Sequence, residues 1–273
     1  MKIVMPDKLV MVGDSNLFGA PIAFRPFTRY VVTDFEAFYL TEHTPRTKWT
    51  NSSFNSYERR YGGQDLNDKK VAIYRHTAYG DQLIVSALPR YLKTLYPRST
   101  VHMYCDSGVM SLWDDNPFVE GGAVPLPITF DAMRQYDYHI FLEGMLENNG
   151  EPDQQNCYDD MFEWCGLRNV PNKFKKPHIT TLPSDFGSPV VSRLPEHGEY
   201  VVYHISPANK NRCYPHEQGI EAMSLAMKMC PELHVVLVGT TNDSAILALY
   251  TRAFEFSMRV VNLINQTASF RDL

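Results

Sequence analysis

The sequence predicts an α/β protein with two parallel sheets, each flanked by helices. Three observations support this. Over residues 71–97 an apolar strand, a glycine-containing loop and a helix follow without a break (VAIYRHTAYGDQLIVSALPRYLKTLYP), and the apolar spacing changes there from the strand to the helix period. The order strand, long loop, helix, proline, strand recurs over residues 200–239. Between the two copies, residues 167–199 hold five prolines, two glycines and little periodicity, as an interdomain linker does. Repetition of this order suggests two Rossmann-like domains.

Residues 71–74 supply the first strand and 76–80 the loop. Beyond Asp81, the residues Leu83, Ile84, Ala87, Leu88, Tyr91, Leu92 and Leu95 form one helical face. Gly80 is expected to allow a backbone angle or close approach that a β-carbon would forbid, and Asp81, at the helix start, to cap free N–H groups. Pro97 stops the helix, and 100–105 form the second strand. A short helix over 107–113, a strand over 122–126, a brief helix over 131–135 and a strand over 138–142 continue an alternation that argues for helices on both faces of a parallel sheet. An acidic loop over 143–153 leads to a helix over 157–165, ended by Gly166. The second copy reads as a strand over 200–205, a polar and basic loop over 206–215, a helix over 217–230 broken by Pro231, and a strand over 234–239. Residues 1–69 differ: a strand over 8–12, then Pro21, Pro26, Pro45, many aromatics and a polar run. Short strands and loops are expected there, with a turn at Tyr61-Gly62-Gly63. The expected organisation is an N-terminal extension (1–69), a first domain (70–166), a linker (167–199) and a second domain (200–273).

Composition narrows the function. Hydrophobic residues at 44% and charged residues at 21% exclude a largely disordered chain. A net charge of -5 and a pI near 6.0 leave no footprint for duplex nucleic acid, although local basic groups can still hold a small anion. Five cysteines without a CxxC pair fit neither a disulfide framework nor a zinc ribbon and point to a reducing cytoplasm. No apolar run approaches the ~18 residues of a membrane helix. Pro6, Asp7 and Lys8 interrupt the segment where an export signal would need an apolar core. The expected location is therefore cytoplasmic, free or peripheral at the inner face of a membrane.

One motif invites a hydrolase reading. VMVGDSN resembles the Gly-Asp-Ser corner of SGNH hydrolases, with Ser15 as nucleophile. Such enzymes also use an Asp-x-x-His pair, and the chain has none. A Gly-Asp-Ser turn is far more often only a turn, which leaves the hydrolase as a remote alternative.

A broader resemblance rests on IYRHTAYGDQLIVSALPRYLKTLYPRSTVHMYC, DNPFVE, FEWCGL, HISPANKNRCYPHE and VVLVGTTND. Over about residues 70–273 these segments resemble the family 9 glycosyltransferases, whose members include lipopolysaccharide heptosyltransferases. The resemblance implies the GT-B fold, with the acceptor on the N-terminal domain and a nucleotide-sugar donor on the C-terminal one. It also implies an inverting transfer that needs no metal or other cofactor. Asp81 then corresponds to the general base, with His76 and Gly80 in the acceptor-side loop. Arg212, ahead of Tyr214-Pro215, corresponds to the residue that holds the donor diphosphate, with Lys210 as its near alternative. Ser206 corresponds to a phosphate-touching position and Asp243 to an acidic donor-site position. The chain departs from the family by Arg for Lys, Tyr for Trp and one extra loop residue.

These residue types suit the chemistry. Displacing a nucleoside diphosphate from an anomeric carbon needs a base for the attacking hydroxyl and positive charge for the departing phosphates. Each has a plainer reading: Asp81 as a helix cap, Lys210 and Arg212 as solvated surface charges, His76 and His204 as structural histidines at strand ends. Residues 269–272 form a capping box that announces a further helix. The family continues there through that helix, a strand and an Asp-Thr-Gly loop. By this resemblance the second domain is about half a Rossmann unit, and the chain is a fragment, a truncated product or a protein completed by a partner. Two functions follow. One is transfer of a sugar such as heptose from a nucleotide sugar to a saccharide or lipid-linked acceptor; the other is a non-catalytic GT-B-like binding or assembly protein without a complete donor site.

Overall fold

A computed structural model of the chain describes residues 2–12, 22–53, 59–76, 78–145, 156–181, 190–196, 198–205, 214–241 and 243–266. The chain divides into two compact units, Met1–Thr180 and Thr181–Leu273.

The first unit opens with antiparallel strands: β1 (Lys2–Pro6), β2 (Val10–Val12), β3 (Ile22–Phe24) and β4 (Tyr30–Val32). They are followed by helix α1 (Asp34–His43) and strand β5 (Trp49–Ser53). β1 lies between β4 and β5, with Ile3 opposite both Val31 and Ser52. β2 and β3 pair separately, burying Val10, Val12, Ile22 and Phe24 while Met11 and Ala23 face out. α1 begins at a capping box. The Thr33 hydroxyl accepts the Glu36 N–H at 3.0 Å, and the Glu36 carboxylate accepts the Thr33 N–H at 2.6 Å, so two donors that a helix start leaves unpaired are satisfied together.

The parallel part follows in the order β6 (Lys70–Tyr74), α2 (Tyr79–Val85), α3 (Ala87–Leu95), β7 (Thr100–Cys105), β8 (Ala123–Pro125), α4 (Phe130–Met133), β9 (Tyr138–Phe141) and α5 (Cys157–Trp164). The sheet order is β8-β7-β6-β9, every pair parallel. The helix expected from Asp81 is two helices starting at Tyr79. Pro89, early in α3, lacks an N–H and its ring crowds the carbonyl four residues back, which accounts for the break at Ser86. The segment after β7, Ser107–Trp113, is a 3₁₀ helix.

Alternation decides what covers each face. Ala72, Tyr74 and Tyr104 join Val4, Phe24, Val31 and Leu40 in a single core, so β1–β4 and α1 form part of the cover of the sheet. The described strands among residues 1–69 are three to five residues long, as expected, and helix α1 is the addition. Val71, Ile73, Val101 and Met103 point to the other face and are also buried. Tyr91 of α3 packs edge-on to Phe162 of α5 at 5.3 Å and against Phe174 at 4.9 Å. Phe174 and His178, whose N–H donates to the Ser86 hydroxyl at 2.8 Å, thus belong to the first unit, within the stretch whose composition reads as linker.

α5 ends as expected at Gly166, in the left-handed region at φ 72°. Gly166 N–H reaches Glu163 O and Leu167 N–H reaches Phe162 O, both at 2.8 Å, the pair of bonds that closes a Schellman cap.

The second unit contains β10 (Tyr200–His204), α6 (His216–Met229), β11 (His234–Val238), α7 (Ser244–Phe254) and β12 (Val260–Asn262). Its sheet, β10-β11-β12, is parallel and separate from the first. Val235 and Leu237 meet Met223, Met227, Tyr250 and Phe254 on the helical face, while Val236 and Val238 meet Val190 and Leu263 on the other. α7 and β12 have no counterpart in the expectation: residues 245–250 are apolar without a break, and Thr251, Arg252, Glu255, Ser257 and Arg259 then scatter the pattern. Both expected parallel sheets are present, and the fold class is α/β.

Candidate active site

In the first sheet the chain runs outward from β6 through β7 to β8, then crosses back to add β9 on the other side of β6. The carboxyl ends of β6 and β9 therefore flank the crevice where open α/β sheets bind ligands. Arg75 and His76 leave β6 here, Glu143 lies just beyond β9, and Asp81 sits in the first turn of α2. Arg75 is 3% exposed. Its Nη2 donates to Asp81 Oδ2, its Nη1 donates to Leu142 O at 2.9 Å, and Nη1 also faces Glu143 Oε2 at 3.8 Å. Glu143 Oε1 accepts the backbone N–H of His76. Gln82 supports the loop from below, donating to Arg75 O at 2.9 Å and accepting from Trp113 Nε1 at 3.0 Å.

A fifth charged group enters from the N-terminal region. Glu36 of α1, 3% exposed, faces Tyr74 Oη at 3.2 Å and His76 Nε2 at 3.2 Å. Burial holds the Glu36 carboxyl above the usual carboxylate range, opposed by hydrogen bonds from Thr33 and Tyr74. Burial also raises Glu143, opposed by the charges of Arg75 and His76. Tyr74 is pushed well up by burial and by Glu36, which keeps it a neutral donor. Three carboxyl groups thus gather around one guanidinium and one imidazole. The Asp81 side chain keeps 26% exposure, so it is both held in place and reachable.

No protein-family model and no curated protein matches the chain. Solved structures do. The *Escherichia coli* ADP-heptose lipopolysaccharide heptosyltransferase II aligns over 72% of this chain and 73% of its own, at 14% identity and TM-score 0.53. A glycosyl transferase family 9 protein from *Veillonella parvula* DSM 2008 aligns over 75% of this chain and 71% of its own, at 11% identity and TM-score 0.51. The chain has a GT-B-like fold.

Within this GT-B-like fold the first unit brings His76, Gly80 and Asp81 together, with corrections to two of them. Among the described residues Asp81 makes no capping bond: the N-cap of α2 is Ala78, without a side-chain cap bond, and the Asp81 carboxylate accepts from Arg75. The backbone freedom expected of Gly80 is used at Ala78 instead, at φ 67°. Gly80 is helical, and a β-carbon there would meet nothing within 4 Å, because the position faces open space. Asp243 belongs to the second unit and caps α7, its Oδ1 accepting the Ala245 N–H at 2.8 Å and the Ile246 N–H at 3.4 Å. Ser15, Ser206, Lys210 and Arg212 lie outside the described residues. Sequence reasoning missed Arg75, Glu143 and Glu36. Arg75 and Glu143 were findable as charged residues just past parallel strands; Glu36 was signalled by Thr33-x-x-Glu36, a capping-box pattern. Among the described residues no group of three or more His, Cys, Asp or Glu is placed to hold a metal ion, and no helix is long and apolar enough to cross a membrane.

Proposed function

We propose that the chain is an inverting glycosyltransferase that moves a sugar such as heptose from a nucleotide-sugar donor to a saccharide or lipid-linked acceptor. The observation that carries this reading is the Asp81 carboxylate, partly exposed at the crevice of a GT-B-like domain and fixed by the buried Arg75. The solved relative named for ADP-heptose supports a nucleotide sugar as donor. In the proposed reaction Asp81 takes the proton of the acceptor hydroxyl as its oxygen attacks the anomeric carbon from the face opposite the leaving diphosphate. The C–O bond to that diphosphate breaks as the new one forms. Lys210 and Arg212 receive the leaving charge, with Ser206 and Asp243 beside the donor, and no metal takes part.

Asp81→Asn tests the base. An amide cannot take the proton, and general-base catalysis contributes roughly 10²–10⁴-fold, so transfer is expected to fall by that factor while nucleotide binding persists. Equal rates in parent and variant would remove Asp81 from the mechanism and make His76 the next residue to test. The donor side is tested by calorimetry with ADP and other nucleoside diphosphates. Charge-assisted bonds are worth about 1.5–3 kcal/mol each, so Lys210→Ala with Arg212→Ala is expected to weaken binding by more than ~2 kcal/mol.

One observation favours a second reading, a non-catalytic GT-B-like binding protein: the Asp81 carboxylate is already engaged by Arg75. A parent chain that binds a saccharide and transfers nothing would support it.

A further inference from the structure

The capping box of α1 does more than start a helix. Capping at this position needs only an acceptor oxygen, which a glutamine supplies as well as a glutamate, and burying a carboxylate carries a desolvation cost that an amide avoids. Glu36 is nevertheless 3% exposed. Its second oxygen is aimed out of α1 at the end of β6, where His76 Nε2 and Tyr74 Oη meet it. An unbroken series of contacts runs from there to the candidate base. His76 hands its backbone N–H to Glu143, Glu143 faces Arg75, and Arg75 holds Asp81. Arg75 and His76 are neighbours in the chain that reach opposite ways, Arg75 to Asp81 and His76 to α1. A shift of the imidazole therefore moves the backbone that sets the guanidinium.

We propose that Glu36 is a positioning residue for the transfer, fixing His76 and, through Glu143 and Arg75, the orientation of Asp81; this rests on the reading of Asp81 as the base. It makes the N-terminal strands and α1 part of the acceptor site. Glu36 Oε1 and His76 Nε2 stand 3.2 Å apart, an ion pair whenever the imidazole is protonated. The groups against it are Tyr74, whose hydroxyl donates to Glu36 at 3.2 Å, Glu143 beyond β9, which accepts the His76 N–H, and Asp106 beyond β7, whose N–H donates to His76 O at 3.0 Å.

Glu36→Gln in the full chain separates positioning from capping. Gln still closes the capping box, so the melting temperature is expected to stay near the parent's. Misplacing a catalytic group by about 1 Å costs up to 10²-fold, so kcat is expected to fall by about tenfold or more with the donor KM unchanged. His76, followed by NMR through its imidazole nitrogens, is expected to titrate at lower pH once its carboxylate partner is gone. Glu36→Asp keeps the charge one methylene short and is expected to lose kcat while retaining more of the His76 titration. It is read by the same criteria should the Gln variant not fold. A parent that transfers sugar and a Gln variant with unchanged kcat overturn the proposal. A parent that transfers nothing counts against the glycosyltransferase reading alone. The His76 titration then decides the link between α1 and the site, and an unmoved titration in the variant overturns it.

Discussion

His139 stands on β9, 2% exposed, with Tyr136 and Phe141 rings at 6.2 and 5.9 Å. Among the described residues its Nδ1 meets no hydrogen-bond partner. Burial, joined by the charge of Arg59, lowers its pKa from 6.5 to about 4. The folded state thus refuses a proton that the unfolded state accepts. Its full stability is present above pH 6.5 and is lost progressively as pH falls from 6.5 toward 4, by about 3 kcal/mol at one pKa unit per 1.36 kcal/mol. His102, also lowered by burial, acts in the same direction. Glu36 and Glu143, both raised, act in the opposite direction: what they add is present at acid pH and is lost as pH rises through their folded values. His139→Phe keeps a ring of similar size and removes the titration. It is expected to flatten the fall in melting temperature between pH 7 and 5, measured by circular dichroism.

Gly166 shows how one position holds an element end. A β-carbon there would come within 2.9 Å of the Gly62 backbone at φ +72°, so Gly166→Ala faces both strain and a contact that no side-chain rotation relieves. The expected cost exceeds the roughly 0.4–1 kcal/mol that Gly→Ala gains where the backbone allows it and is read from denaturant midpoints. Thr33→Ala removes one half of the α1 capping box and is expected to cost ~1 kcal/mol. The two ends also differ in how legible they were. Gly166 closes an amphipathic helix and could be placed to the residue. α1 could not: Phe35, Ala37, Phe38, Tyr39 and Leu40 run together, so no helical stripe stood out, and only the cap pattern marked its start. The candidate site divides in the same way. His76 and Asp81 belong to a local strand-loop-helix unit that sequence order fixes. Glu36 and Glu143 reach them across 40 and 67 residues of chain, through pairing and packing that no local pattern encodes.

At the scale of the whole molecule, the described cores of the two units share no residue, so each unit is expected to give its own calorimetric transition. Gly166→Ala should lower one transition. Gly198→Ala should lower the other, since Gly198 holds φ +94° and a β-carbon there would come within 3.3 Å of the Glu232 carbonyl, a backbone strain that alanine does not tolerate. A single transition moved equally by both would contradict this. The edge of the second sheet has a practical consequence. Among the described strands β10 borders β11 alone, with Tyr200, Val201 and Val202 45%, 43% and 59% exposed. An open, apolar, β-branched strand edge is a template for stray chains. The protein is therefore expected to lose solubility as it is concentrated, and Val202→Lys to raise the concentration at which light scattering first appears.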